Sequence, residues 1–354
     1  MLGLPIWTVA APILAVGALF LGAPSAPWLA ALDAVLLGAA VLAAVHHAET
    51  IAHALGEPYG SLLLALAVTV IETALIASIM ISEGDGASDL ARDTVFATVM
   101  IVLNGIIGLC LLVGGRRHHE QSFTQYGVSA GLAMISTLTV LVLVLPNYTT
   151  TTAGPVYSST QLIFVAVVSL IIYAAFVVAQ TIRHRDYFLH ENGTESADHA
   201  AVTRSTAWVS FVFLMLGLVA VVLLAKSLSP TIKQAVAAAG APPATVGVII
   251  ALVVLLPEGI AALGAARRDD LQTSLNLAIG SALATTGLTI PAVAAVSLWL
   301  HLDLVLGLSI REIVLLALTL LVTSLSLGTG RTTIVHGVIH LVLFATFLFT
   351  TLVP

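Results

Sequence analysis

Apolar runs of about twenty residues, the length that spans the hydrocarbon of a bilayer, follow one another along almost the whole chain. Short stretches of Gly, Pro or charge separate them. In lipid every backbone N–H and C=O must be satisfied within the protein, so runs of this length must be helices. Composition forces the same solvent: 8% of the residues are charged, against roughly 25% in a soluble globular protein. With 59% hydrophobic residues and a mean hydropathy of +1.10, the chain cannot cover a water-facing surface. The expected class is an all-α polytopic membrane protein of about 11 transmembrane helices. The runs fall at 4–21, 29–55, 59–82, 94–114, 124–145, 158–182, 206–228, 242–266, 270–299, 303–327 and 332–352.

Two of these runs carry a glutamate at their centre. Glu72 lies within Leu62–Ser78 and Glu258 within Val246–Leu263. A carboxylate at the bilayer centre costs a few kcal/mol or more and faces a cation, a proton or a buried partner. One such residue in each half of the chain suggests a transporter of cations and protons built from a repeated unit, with substrate near the midplane at the repeat interface. The alternative is a pair of buried, protonated, purely structural residues.

The polar stretch from Arg183 to Arg204 divides the chain and reads as a solvated connector. The parts are a leading helix (1–27), a first repeat (28–182, helices two to six), a polar linker (183–205) and a second repeat (206–354, helices seven to eleven). Glu72 and Glu258 fall on helices three and eight. An offset of five helices makes the two copies cross the membrane in opposite directions, an inverted repeat. The basic residues set the orientation. Arg116, Arg117, Arg183, Arg185, Arg204, Arg267, Arg268 and Arg331 lie on one side, and Arg92, Lys226, Lys233 and Arg311 on the other. The N-terminus and the linker are therefore expected in the cytoplasm and the C-terminus outside. A signal peptide would begin with basic residues. None precedes Arg92, so the first run is expected to be retained.

Helical spacing puts Thr69, Glu72 and Thr73 on one face. Pro257 precedes Glu258 and leaves the carbonyl of Val253 without its helical donor. A carboxylate beside a freed carbonyl and hydroxyls makes an oxygen set of the kind that calcium takes. Ser274, Ala278, Ser281 and Thr285 form a small and polar stripe on the ninth helix, with Gln272, Asn276, Gly280 and Ala284 beside it. Such stripes serve close helix packing as readily as they line a cavity, and Asn104 on the fourth helix divides the same way. The candidate cation ligands are Glu72, Glu258, Thr69, Val253, Asn104 and Ser281. Glu49, His46, Gln272, Ser274 and Asn276 are candidates for a secondary proton path or gating.

His46, Glu49 and His53 share one helical face, which admits a metal-dependent intramembrane hydrolase as a reading from another class. No His-Glu-x-x-His motif supports it. The alternative of an ion channel lacks a continuous polar stripe. Cys110 is the single cysteine, so neither an intrachain disulfide nor a thiolate cage forms. His336 and His340 are expected to serve structure. The expected partners are the bilayer, transported cations and protons, with no nucleic acid and no resident cofactor; a homo-oligomer is left open.

The motifs resemble the cation/proton exchanger family of the calcium/cation antiporter superfamily, in its bacterial calcium/proton antiporter branch. The similarity lies in Gly56-Glu-Pro-Tyr-Gly60 leading into Val70-Ile-Glu72, and in Leu255-Leu-Pro-Glu258 followed by Gln272 to Thr285. Tyr173 to His184 and Gly330 to Phe347 resemble the family's sixth and last helices, and Glu49 stands where the wider family has an acidic residue. The resemblance implies one leading helix plus two inverted five-helix repeats. It implies that Glu72 and Glu258 bind cation and protons in turn, in a secondary transporter of a bacterial plasma membrane. Many eukaryotic relatives have Gly-Asn-Ala before each glutamate. Here Thr69-Val70 and Leu256-Pro257 stand there, which leaves sodium and potassium beside calcium as substrates.

Overall fold

The computed structural model describes residues 4–20, 22, 26–55, 59–83, 88–116, 119–183 and 203–354. Side chains are described for these residues except 59–65 and 82–83. The linker at 184–202 and the Gly56-Glu57-Pro58 turn lie outside the described residues. Eleven helices are found among those described. They are α1 (Ile6–Leu19), α2 (Pro27–Leu55), α3 (Tyr59–Glu83), α4 (Leu90–Gly115), α5 (Gln125–Tyr148) and α6 (Ser159–Arg183). After the linker come α7 (Arg204–Ala238), α8 (Ala244–Arg267), α9 (Leu271–Leu300), α10 (Ile310–Leu327) and α11 (Ile334–Leu352). Nine of them are long and apolar enough to cross a membrane; α1 and the described part of α3 are shorter apolar helices.

The chain divides into two compact units that cut across the sequence halves. One is Met1–Gly84 with Thr194–Val246, and the other is Asp85–Gly193 with Gly247–Pro354. The first unit holds α1, α2, α3 and α7. Its two long helices pack along each other, and α3 lies against both. Gly217 of α7 admits this approach, since an added Cβ would stand 3.2 Å from Ala44 Cβ. Pro12 fixes how α1 docks. Proline has no N–H, so the carbonyl of Thr8, four residues back, loses its helical donor. Nε2 of the fully buried His47 on α2 donates to that carbonyl at 3.0 Å, which puts the ring proton on Nε2. The His47 ring stacks on Phe213 of α7 with centroids 5.5 Å apart.

The second unit contains α4, α5, α6, α9, α10, α11 and α8 from Gly247 onward. Helices α4 and α9 each widen near mid-span into a π segment, Ile101–Ile106 and Thr285–Thr289. In α9 the cause lies in the sequence: Pro291 cannot donate to the carbonyl of Gly287, so the ladder shifts there.

Two mirrored stitches join the loops of this unit. At one end β1 (Gln121–Ser122), between α4 and α5, pairs antiparallel with β2 (Arg331–Thr332), between α10 and α11. Phe123 N–H donates to Gly330 O beside them. At the opposite ends of α5 and α10, Val156 bridges Val305 antiparallel, and Gly307 N–H donates to Pro155 O. The second stitch joins the α5–α6 loop to the α9–α10 loop. It is the first stitch with the two halves of the sequence exchanged.

This stitch corrects the tenth run. Residues 303–309, read from hydropathy as helix, are not helical, and α10 starts only at Ile310. Ser309 caps it: its hydroxyl accepts from Glu312 N–H while the Glu312 carboxylate accepts from Ser309 N–H. The seventh run proves longer than read, because α7 continues through Pro230 to Ala238.

Candidate functional site

In the first unit, α3 buries Glu72 (1% exposed) and Thr69 (5%), while Leu66 and Val70 point outward. Thr73 is half-buried. A carboxylate this deep, with hydroxyls a turn above and one residue below, is the arrangement that the spacing implied. His46, Glu49 and His53 lie on α2 of the same unit. Glu49 is half-buried and His53 exposed, and His46 leans on Trp7 with ring centroids 5.8 Å apart. No three His, Cys, Asp or Glu side chains among the described residues group so as to hold a metal ion. The metal-dependent hydrolase reading fails on this point: helical periodicity put the three on one face, but a shared face spans more than a turn and does not converge on one ion.

In the second unit, α8 runs unbroken through Pro257, so Val253 O lacks its helical N–H partner. Glu258 is half-buried, with Oε2 fully enclosed. Val253, Asn276 and Ser281 are half-buried, and Gln272 and Ser274 buried. The Gln272 amide ties α9 to its surroundings. Its Nε2 donates to Asn276 Oδ1 at 3.0 Å, and its Oε1 accepts from Thr124 N–H at 2.7 Å. These two polar residues therefore brace the base of α5 in this structure.

Asn104 lies in the π segment of α4 and is fully buried. Its Nδ2 donates to Thr319 Oγ1 of α10 at 2.9 Å, and its Oδ1 lies 3.2 Å from His340 Nδ1 of α11. Both halves of the amide are engaged with neighbouring helices, so here packing describes it better than cation contact. His336 serves the start of α11, where its Nδ1 accepts from Thr333 N–H. Both histidines are thus engaged in hydrogen bonds within the second unit.

Two candidates went unassigned in the sequence. Thr94 and Thr98 lie one turn apart on α4, fully enclosed, and neither hydroxyl has a hydrogen-bond partner among the described residues. Other buried threonines in the unit donate back along their helix, as Thr139 does to Ile135 O and Thr323 to Thr319 O. The i, i+4 spacing of the two threonines was the available signal, but i, i+4 hydroxyls recur too often in membrane helices to single one pair out.

A family model described as "Sodium/calcium exchanger protein" matches residues 25–182 and 209–353. A Sinorhizobium fredii (strain NBRC 101917 / NGR234) protein named as an ionic transporter, y4hA, is 49% identical over 323 residues, covering 91% of this chain and 88% of that one. The sodium-potassium/proton antiporter ChaA of Escherichia coli K12 is 35% identical over 350 residues, covering 96% and 94%. The solved structure of an H+/Ca2+ exchanger, CAX, is alike in fold, with a TM-score of 0.75 at 18% identity over 97% of this chain and 86% of that one. The chain is therefore a multi-pass secondary transporter, not an enzyme, and belongs to the sodium/calcium exchanger protein family, within the cation/proton exchangers of the calcium/cation antiporter superfamily.

Proposed function

We propose that the protein exchanges calcium for protons across a bacterial plasma membrane by alternating access, with Glu72 and Glu258 taking cation or protons in turn. The observation that carries this reading is the deep burial of Glu72 (1% exposed) near the middle of the 25-residue helix Tyr59–Glu83. A carboxylate in such a place is stable when neutralised, by a proton or by a cation. Ionised, the two glutamates attract cation; protonated, they release it and let the empty carrier return. Thr69 adds a neutral oxygen one turn from Glu72 in the first unit, and Pro257 frees the Val253 carbonyl on the Glu258 helix in the second. The mirrored stitches of the second unit support two inverted five-helix repeats after a leading helix. The charge bias supports a cytoplasmic N-terminus and an external C-terminus.

A second reading, exchange of sodium or potassium for protons, is favoured by the 35% identity to a protein named as a sodium-potassium/proton antiporter. Both readings share the glutamate chemistry. The test of that chemistry is Glu72→Gln and Glu258→Gln in purified protein reconstituted in liposomes. A neutral amide cannot cycle between proton and cation, so each variant should fold and lose exchange. Wild-type rates in either variant would remove the glutamates from the mechanism.

A further inference from the structure

We propose that His340 is a positioning residue: through Asn104 it holds the π segment of α4 against the helix that carries Glu258. This rests on the reading of Glu258 as a cation ligand.

The chain of contacts lies wholly within the second unit. The backbone of α8 beside Glu258 is glycine, and a Cβ built at Gly259 would stand 3.4 Å from Ile106 Cδ1. Ile106 is the last residue of the π segment Ile101–Ile106. That segment therefore sets where α8 rests immediately after Glu258. A π segment is a register choice, since the same residues can wind as α-helix with every later side chain rotated. No proline imposes it in α4, in contrast to α9. What holds it is lateral. Asn104, at its centre, is bonded to Thr319 on α10 and to His340 on α11. Gly105 lies under the Phe344 ring, and a Cβ at Gly108 would come within 3.0 Å of His340 Cβ. Helix α11 reaches in because Gly337 faces the backbone of Leu112 and Gly108.

The hydrogen bonds fix the chemistry of the histidine. Asn104 spends its N–H on Thr319, so its oxygen accepts, and His340 must carry a proton on Nδ1 to donate. His340 Nε2 is fully buried, and the ring also meets the backbone of Leu103 in the same π segment. The arrangement calls for a neutral donor at one point in space. It does not call for a group that gains and loses protons. Asparagine puts an N–H at the same number of bonds from Cα as histidine Nδ1 and does not titrate. The other titratable side chains of the elements around it are His336 on α11, Arg92, Asp93 and Cys110 on α4 and, at the first turn of α10, Arg311 and Glu312.

The test compares His340→Leu, His340→Asn and Thr319→Val with the wild type, in liposomes, on folded protein selected by size-exclusion chromatography. Cation concentration and pH are both varied, with calcium, sodium and potassium supplied separately. Losing the donor should weaken apparent cation affinity by about two- to thirty-fold, the range in which remote residues modulate a site, and change the maximal rate less. His340→Asn should restore affinity to within about twofold with an unchanged pH profile. Thr319→Val, which is isosteric, should weaken affinity in the same direction and serves if the leucine variant does not fold. The proposal is overturned if affinity is unchanged in both His340→Leu and Thr319→Val, or if His340→Asn behaves like His340→Leu. A shifted pH profile in His340→Asn also overturns it, by making the histidine a proton carrier. Glu258→Gln is run alongside. If it retains exchange, the underlying reading of Glu258 has failed; if it abolishes exchange while affinity stays fixed in the other variants, only the positioning role has failed.

Discussion

The contact between Pro12 and His47 allows a stability prediction with a built-in control. His47→Leu keeps an apolar side chain against Phe213 but removes the ring N–H that pairs with Thr8 O. An orphaned buried carbonyl costs about 1–3 kcal/mol, and the lost ring stacking about 0.5–1.5 kcal/mol more. Pro12→Ala changes the first figure and not the second. Alanine supplies the missing N–H, and Thr8 O regains its partner four residues along. In the Pro12→Ala background, His47→Leu should therefore cost only about 1 kcal/mol, the ring part alone. The coupling between the two sites should be about 1–3 kcal/mol, within the range for residues that share a partner. The measurement is thermal unfolding of the four proteins in detergent. It can be read on bulk melting and on the fluorescence of Trp7, which lies beside His46 and reports whether α1 stays docked. At about 2–4 °C per kcal/mol for a chain of 150–250 residues, and less for a longer one, the midpoints should separate by a few degrees. Equal losses from His47→Leu in both backgrounds would refute the reasoning, since Thr8 O would then not be what His47 satisfies.

Other predictions follow from the same structure. Apparent cation affinity should strengthen as pH rises from mildly acidic to alkaline, because protons and cation compete for the same carboxylate oxygens. It should level off once both glutamates are ionised, and flat affinity across that range in the intact protein would separate the proton path from the cation site. Single cysteines placed near Asn192 and after Pro354 should be labelled by an impermeant reagent from opposite sides, the first from the cytoplasm; the reverse pattern would overturn the assigned orientation. Gly337→Ala would push a methyl group against the Leu112 amide nitrogen, 2.6 Å from the ideal Cβ position. It should destabilise the protein by about 1–3 kcal/mol, and an unchanged melting midpoint would show that α11 can move aside freely.

Much of the fold was legible because lipid removes alternatives. Eleven apolar runs gave eleven helices, and the glutamates interrupting two of them were visible without any structure. Boundaries failed where hydropathy and hydrogen bonding part company. Residues 303–309 are apolar enough for a helix, but their backbone bonds to a loop some 150 residues earlier, a pairing that periodicity cannot register. The π segments were also hidden, although Pro291 gave a reason for one of them. At the site, depth was legible and direction was not. Glu72 and Thr69 are buried as their spacing implied, yet Asn104, equally polar and equally buried, turns its amide to Thr319 and His340. Its partners lie more than 200 residues away in sequence, so only the fold could choose between packing and cation contact. The same holds for His47, whose role follows from Pro12 only once α1 and α2 are known to be neighbours.

Cation/proton exchange is tested most directly by proton flux in liposomes that contain the purified protein alone. With an acidic lumen, an internal pH-sensitive dye and calcium, sodium or potassium added outside one at a time, the lumen should turn alkaline on adding calcium, at a rate that saturates with its concentration. Both Glu72→Gln and Glu258→Gln should abolish the signal. A response to sodium or potassium in place of calcium would keep the exchange chemistry and reassign the cation. Cation uptake without proton movement, or proton movement that persists in both glutamate variants, would contradict it.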